Sequence, residues 1–246
     1  MRVSISITDY SRLDTLDAIA TAADDAGVDT VWVPDHLMQA APGSDPDGPM
    51  LEAYTTLGYL AARTRRVRLG TLVTAVTYRP FAIVAKAVET LQRLSGGRAW
   101  LGLGAGYLEA ESKRFDVPLP PVPARFDALE TALRSYDGDA PVLVGGMGEK
   151  RTLPLVARYA HACNLFDIPD GGKTVRHKLE VLRRLCDEAG RRVEATLSTR
   201  IASGESPDAF AERIGALGID HSILVPIGPW DPDEVAGLEA YIRNTP

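Results

Sequence analysis

The segment VRLGTLVTAVTYRPFAIVAKAVETLQRLSGGRAWLGLGAG, residues 67–106, carries the alternation that decides the fold. Residues 67–73 are short, apolar and rich in β-branched side chains, which predicts a buried strand. Ile83, Ala87, Leu91 and Leu94 then recur at helical spacing, and Gly96-Gly97 closes the helix. Residues 99–103 return to a short apolar run, a second strand. Two near-continuous apolar strands, joined by a helix, predict a parallel sheet covered by helices.

The same unit repeats in both directions. Strands are predicted at residues 3–8 and 30–34 before the segment, and at 142–144, 162–166, 195–201 and 222–225 after it. Helical apolar faces follow each one, for example Leu13, Leu16, Ile19 and Ala23, or Val175, Leu179, Leu182 and Cys186. With the two strands of the quoted segment this makes eight strand–helix pairs in 246 residues, close to the roughly 250 of a (β/α)8 barrel. The expected fold class is therefore α/β, a compact single (β/α)8 TIM barrel, one domain over residues 1–246. Helix-to-strand connections are short, whereas two strand-to-helix connections, 35–50 after the second strand and 104–123 after the fourth, are long. Barrel enzymes build their sites from loops on that side, so the C-terminal ends of the strands are the expected working face. The 35–50 loop, with Pro42, Gly43, Pro46, Gly48 and Pro49, is expected to cover the site.

Composition excludes several classes. The formal net charge of −6 argues against nonspecific nucleic-acid binding. The one basic run, Arg63, Arg65, Arg66 and Arg68, falls at a helix end and reads as a solvated face. Cys163 and Cys186 have neither disulfide-framework nor metal-ligand spacing and read as buried thiols of a reducing cytosol. No apolar run is long enough for a membrane span or signal peptide, so a cytoplasmic protein is expected. H-E-x-x-H and G-x-S-x-G are missing, which removes the common zinc-peptidase and serine-hydrolase patterns.

Four strand ends carry candidate chemistry. Asp35-His36 follows TVWVP, where a histidine near the barrel mouth can exchange a proton close to neutral pH. Gly70, Thr71, Leu72 and Val73 end the third strand with small or β-branched residues against which a flat ligand can lie. Gly102, Gly104 and Gly106 let backbone approach a ligand, although the dinucleotide spacing G-x-G-x-x-G fails at Glu109. Gly145-Gly146-Met147-Gly148 leads through Lys150 and Arg151 to Thr152 at a helix start, a pattern suited to an anion such as phosphate.

In this order, VDTVWVPDH (28–36), residues 66–111, PPVPARFDALETAL (120–133) and PVLVGGMGEKRTLPLVARYAHACN (141–164) resemble the bacterial-luciferase-like superfamily. They are most similar to its branch that uses the deazaflavin coenzyme F420. The resemblance implies a hydride-transferring oxidoreductase that acts on a small organic substrate and forms a homodimer. It implies a ring lying across the mouth near Asp35 and His36, with His36 and Asp35 as catalytic candidates. It implies a bulge with a cis peptide at Leu72–Val73, with Thr74 alongside, supporting the ring. The phosphate tail is implied at Gly145, Gly146, Met147 and Gly148, with Arg151 and Thr152 nearby, and Gly104, Ala105 and Gly106 leaving room between ring and phosphate. Tyr107 stands where sugar-phosphate-oxidising relatives carry a catalytic glutamate, and Met147 stands where a small polar residue is common. Glu109 and Glu111 lie further along that loop and could supply acid function. Two other readings stay open: an FMN-dependent luciferase-like monooxygenase, and a barrel that binds a flavin or deazaflavin without turnover.

Overall fold

The computed structural model describes residues 1–8, 13–40 and 44–243. Pro42 and Gly43 of the 35–50 loop lie outside the described residues. The described chain alternates strand and helix from end to end: β1 (Arg2–Ser6), α1 (Leu13–Ala26), β2 (Thr30–Val33), α2 (Ala53–Arg63), β3 (Arg68–Thr71), β4 (Thr74–Ala75), α3 (Phe81–Leu94) and β5 (Ala99–Gly104). It continues with α4 (Glu109–Phe115), α5 (Val122–Ser135), β6 (Val142–Gly145), α6 (Thr152–Tyr159), β7 (Ala162–Phe166), α7 (Lys173–Ala189), β8 (Glu194–Thr199), α8 (Pro207–Gly215), β9 (His221–Leu224), α9 (Pro232–Gly237) and α10 (Glu239–Arg243).

All pairings are parallel, and the sheet closes where β3 pairs β5 through Leu69–Ala99 and Gly70–Trp100. The third predicted strand is one stave in two pieces. β3 stops at Thr71, the Leu72–Val73 peptide is cis, and β4 resumes alongside Leu103 and Gly104 of β5. The nine strands thus form an eight-stave (β/α)8 barrel.

Side chains alternate across each stave. Those facing the helices, such as Ile5, Val31, Leu69, Leu101, Val144 and Leu197, make the main core. α3 differs from the expected face. Val84, Val88 and Leu91 pack inward, while Ile83 and Leu94 are 59% and 64% exposed. Adjacent apolar pairs left the helical phase undecided by periodicity, and packing chose the other phase. Inside the barrel a smaller cluster joins Trp32, Trp100, Leu143, Ala162 and Ile223, with Leu72 and Val73 packed on it. The two indoles are tilted with centroids 5.8 Å apart, a pairing worth about 0.5–1.5 kcal/mol beyond burial. Below them a polar network fills the N-terminal end: Ser4 Oγ lies 2.6 Å from His221 Nε2, and His221 Nδ1 lies 2.7 Å from Glu194 Oε1. Arg68 departs from the solvated basic face, its guanidinium lying 4.5 Å from the centroid of the Trp100 ring. Arg63 and Arg66 pair with Asp17 and Asp25 on the outside.

The interrupted stave explains the glycines of β5. A β-carbon on Gly102 would sit 1.8 Å from the Thr71 carbonyl oxygen, and one on Gly104 would sit 2.6 Å from a Val73 methyl. Neither fits, and the Gly102 clash is against backbone that has nowhere to move. Gly58 of α2 is the opposite case, since a β-carbon there would meet nothing within 4 Å. Gly102→Ala is therefore expected to lower unfolding free energy by about 3 kcal/mol or more. Gly58→Ala is expected to raise it by about 0.5–1 kcal/mol. Urea unfolding of the two variants checks the contrast, and equal midpoints would contradict it.

Candidate active site

The strand ends bring His36, Val73, Tyr107 and the glycine turn after β6 to one face of the barrel. His36 follows β2 by way of Pro34 and Asp35. Its Nδ1 lies 2.9 Å from Glu111 Oε2, and its Nε2 lies 3.3 Å from the Tyr107 hydroxyl. The imidazole meets the Tyr107 ring edge-on at 5.8 Å between centroids. Glu111 comes from α4, a helix inside the connection between β5 and α5. It is fully buried, and it also accepts hydrogen bonds from the Leu37 N–H and the Tyr78 hydroxyl. Burial works against its charge, but His36, Tyr78 and Leu37 outweigh this and hold the carboxyl below the usual range. One buried carboxylate therefore ties together three connections, those after β2, β4 and β5. Burial and the neighbouring Glu111 push the Tyr78 hydroxyl up, so it stays a donor. Glu109, by contrast, is exposed and pairs with Lys113 on its own helix.

Asp35 is held differently from its neighbour. Its side chain is 1% exposed and takes two hydrogen bonds from Arg79, at 2.7 and 2.9 Å. Arg79 also reaches Glu52 at 3.0 Å. Burial raises the Asp35 carboxyl against the pull of Arg79 and Thr74. The Thr74 hydroxyl lies 2.6 Å from that of Tyr54 and 3.0 Å from that of Thr71, which donates to the Gly102 carbonyl. The Asp35 carboxylate is thus spent on Arg79 and on the stave that carries the bulge. Its neighbour His36 keeps one nitrogen turned to Tyr107.

Val73 stands between β5 and β6. Its methyls face both Gly104 and Gly145, where added β-carbons would approach to 2.6 and 3.2 Å. The missing side chain of Gly104 is accounted for by Val73, within the protein. Gly145 then leads into the turn. Gly146, at φ 128°, and Gly148 both lie against the Thr152 side chain, with a Gly148 β-carbon 3.0 Å from Thr152 Oγ1. Thr152 begins α6, so the turn sits on a helix N-terminus. The Arg151 guanidinium pairs with Asp127 and lies over Phe126. Met147 turns toward β7, its sulfur 3.5 Å from the Phe166 N–H. Polar lumen groups gather on the far side, where the Asn164 side-chain oxygen Oδ1 accepts from the Thr196 and Ser198 hydroxyls.

Sequence reading singled out Asp35, His36, Leu72, Val73, Thr74, residues 104–106, the 145–148 turn, Arg151 and Thr152. The fold assembles them around one mouth. That reading missed Arg79 and Tyr78, which sat in TYRP as ordinary loop residues, and offered Glu111, with Glu109, only as a source of acid. The signal was a polar trio directly after a barrel strand, but its partners lie on other staves. Among the described residues no cluster of His, Cys, Asp and Glu forms a metal site, and no helix is long and apolar enough to cross a membrane.

Fold and mouth together define a (β/α)8 barrel with polar side chains and a glycine turn gathered at the C-terminal ends of its strands. The luciferase-like monooxygenase family model matches residues 1–226, and the chain belongs to that family. It is 39% identical over 117 residues to an F420-dependent glucose-6-phosphate dehydrogenase of Kineococcus radiotolerans, covering 47% of this chain and 33% of that protein. It is 35% identical over 140 residues to a phthiodiolone/phenolphthiodiolone dimycocerosates ketoreductase of a Mycobacterium species, covering 51% and 35%. The matches thus span about a third of these relatives' lengths. An F420-dependent secondary alcohol dehydrogenase, solved with an F420–acetone adduct, superposes with a TM-score of 0.79 at 19% identity over 98% of both chains. The monooxygenase RslO1 of Streptomyces bottropensis superposes at 0.76 and 18% identity, over 97% of this chain and 96% of that one.

Removing Arg79 strands a buried carboxylate. Arg79→Ala is expected to cost about 3–5 kcal/mol near neutral pH. Burial then acts on Asp35 with little opposition, so its folded pKa rises further above the unfolded value of about 3.9. Stability tied to such a group is lost as pH rises through the folded pKa. The deficit of Arg79→Ala relative to wild type should be larger at pH 8 than at pH 5, by denaturant unfolding at both. A deficit independent of pH would contradict this account of Asp35.

Proposed function

We propose that the protein is an oxidoreductase that moves a hydride between coenzyme F420 and a small organic substrate at this mouth. The observation that carries the reading is the turn at Gly145–Gly148, which starts beside Val73 and ends on the N-terminus of α6. A flat ring with a phosphate-bearing tail asks for that arrangement: an apolar support next to a cradle of backbone and helix N–H groups. At Gly146 and Gly148 an added β-carbon would crowd Thr152, so the glycines keep the turn's backbone close against the start of α6. The family membership and the F420-dependent relatives support the same reading.

In this reading Gly146, Met147, Gly148 and Thr152 hold the phosphate through backbone N–H groups and one hydroxyl. Arg151 adds positive charge at the rim, shared with Asp127. Leu72, Val73 and Thr74 support the ring, and Gly104, Ala105 and Gly106 form the adjoining wall. When bound, the deazaflavin supplies a carbon that accepts or gives a hydride. The protein fixes the approach distance and keeps the reacting groups aligned. His36 faces the substrate and moves a proton at Nε2. Asp35 acts from behind, through Arg79 and Thr74, by holding the bulge. FMN shares the ring-and-phosphate outline, so the cofactor is decided by binding.

Titration of the purified protein with coenzyme F420 and with FMN, followed by fluorescence, tests the proposal. Saturable F420 binding at least about ten-fold tighter than FMN, a difference of 1.4 kcal/mol, is expected. Tighter FMN binding, or no binding of either, would overturn it. Gly148→Ala should weaken binding about ten-fold or more with an unchanged far-UV spectrum. His36→Ala should bind normally yet lose about a hundred-fold or more in turnover across a ketone and alcohol panel.

A further inference from the structure

We propose that Glu111 is a positioning residue: it fixes His36 as the Nδ1–H tautomer and so presents Nε2 to the mouth as a proton acceptor. The proposal rests on the reading of His36 as the proton-moving group. Glu111 accepts from the Leu37 N–H, which can only donate, and from the Tyr78 hydroxyl, which shares Oε2 with His36. These donors hold the carboxyl below its usual range in spite of burial. An ionised carboxylate has no proton to give, so the 2.9 Å contact with Nδ1 requires the imidazole to donate. A neutral imidazole protonated at Nδ1 carries its lone pair at Nε2. That nitrogen faces the Tyr107 hydroxyl at 3.3 Å, on a side chain that is itself exposed at the rim.

The groups around His36 make this a one-proton device. Glu111 faces it from α4, Tyr78 from the connection after β4, and Tyr107 from the connection after β5. Asp35, next along the chain, has its charge answered by Arg79. An alcohol seated at Nε2 would lose its O–H bond as an N–H bond forms at His36 and its C=O bond closes, and the hydride leaving its carbon is what the deazaflavin of the proposed function would accept when bound. The imidazolium then carries a positive charge beside Glu111, which stabilises it. In the reverse direction the same proton returns to a carbonyl oxygen. Second-contact carboxylates play this orienting role for histidines elsewhere.

The chain has four histidines, so their imidazole nitrogens can be resolved by 15N NMR and His36 assigned from the His36→Gln spectrum. Wild type at pH 8, without cofactor, should show His36 protonated at Nδ1 and bare at Nε2. In Glu111→Gln the Leu37 N–H keeps the amide oxygen, which turns the amide NH2 toward Nδ1. The tautomer should reverse, with the proton moving to Nε2. Tyr78→Phe keeps the carboxylate and removes only a competing donor, so the Nδ1–H tautomer should persist. An Nε2–H tautomer in wild type overturns the proposal. So does an unchanged tautomer in folded Glu111→Gln, or a reversed tautomer in Tyr78→Phe; the wild-type and Tyr78→Phe spectra decide if Glu111→Gln does not fold. Failure of F420 binding with the expected tautomer would sink the proposed function and leave this assignment standing.

Discussion

The side chain of Val73, turned into the lumen where β3 gives way to β4, sets terms for everything built around it. Two strands must leave their side chains out to admit it. Gly102 makes way for the Thr71 carbonyl, Gly104 for a Val73 methyl, and Gly145 for the other. The lumen below is filled by Trp32, Trp100 and Leu143, so Val73 rests on a packed floor. Thr74 then anchors the resumed stave through Tyr54 and Thr71, and Asp35 ties that anchor to Arg79. A buried charge pair is a weak source of net stability. Its value here is positional, since it links the end of β2 to the connection after β4.

The second constraint is the Glu111 carboxylate. It reaches three strand-to-helix connections at once, so α4 acts as a clamp across the mouth. His36 and Asp35 are adjacent in sequence and opposite in state. One is fully committed to a cation. The other has one nitrogen committed and one presented. This division follows from which partner each meets, Arg79 or Glu111, and both partners arrive from other staves.

The fold was legible in the sequence because short, apolar-rich strands alternate with helices that bury one apolar face and end at glycine or a short turn. The bulge at Leu72–Val73 came from the family resemblance, while the glycines at 102, 104, 145, 146 and 148 marked places where backbone runs close to something else. What stayed hidden depends on tertiary contact. EAESKRF reads as a charged loop, and only burial reveals that Glu111 of α4 faces inward while Glu109 faces water. Arg79 and Tyr78 gain meaning from Asp35 and Glu111, residues 44 and 33 positions away. Gly104 was expected to make room for a ligand, and the structure gives that room to Val73. The helical phase of α3 was ambiguous because Ile83 and Val84 are both apolar.

The account places a ring on Val73 and a phosphate at Gly146–Gly148, away from the strand 7–8 ends that hold phosphate in many barrels. A crystal structure grown with coenzyme F420 tests this directly. The account predicts ring density against Val73 with one edge toward His36, and phosphate density within hydrogen-bonding reach of the Gly146 to Thr152 backbone. Phosphate bound instead at the ends of β8 and β9, or a ring held away from Val73, would contradict it.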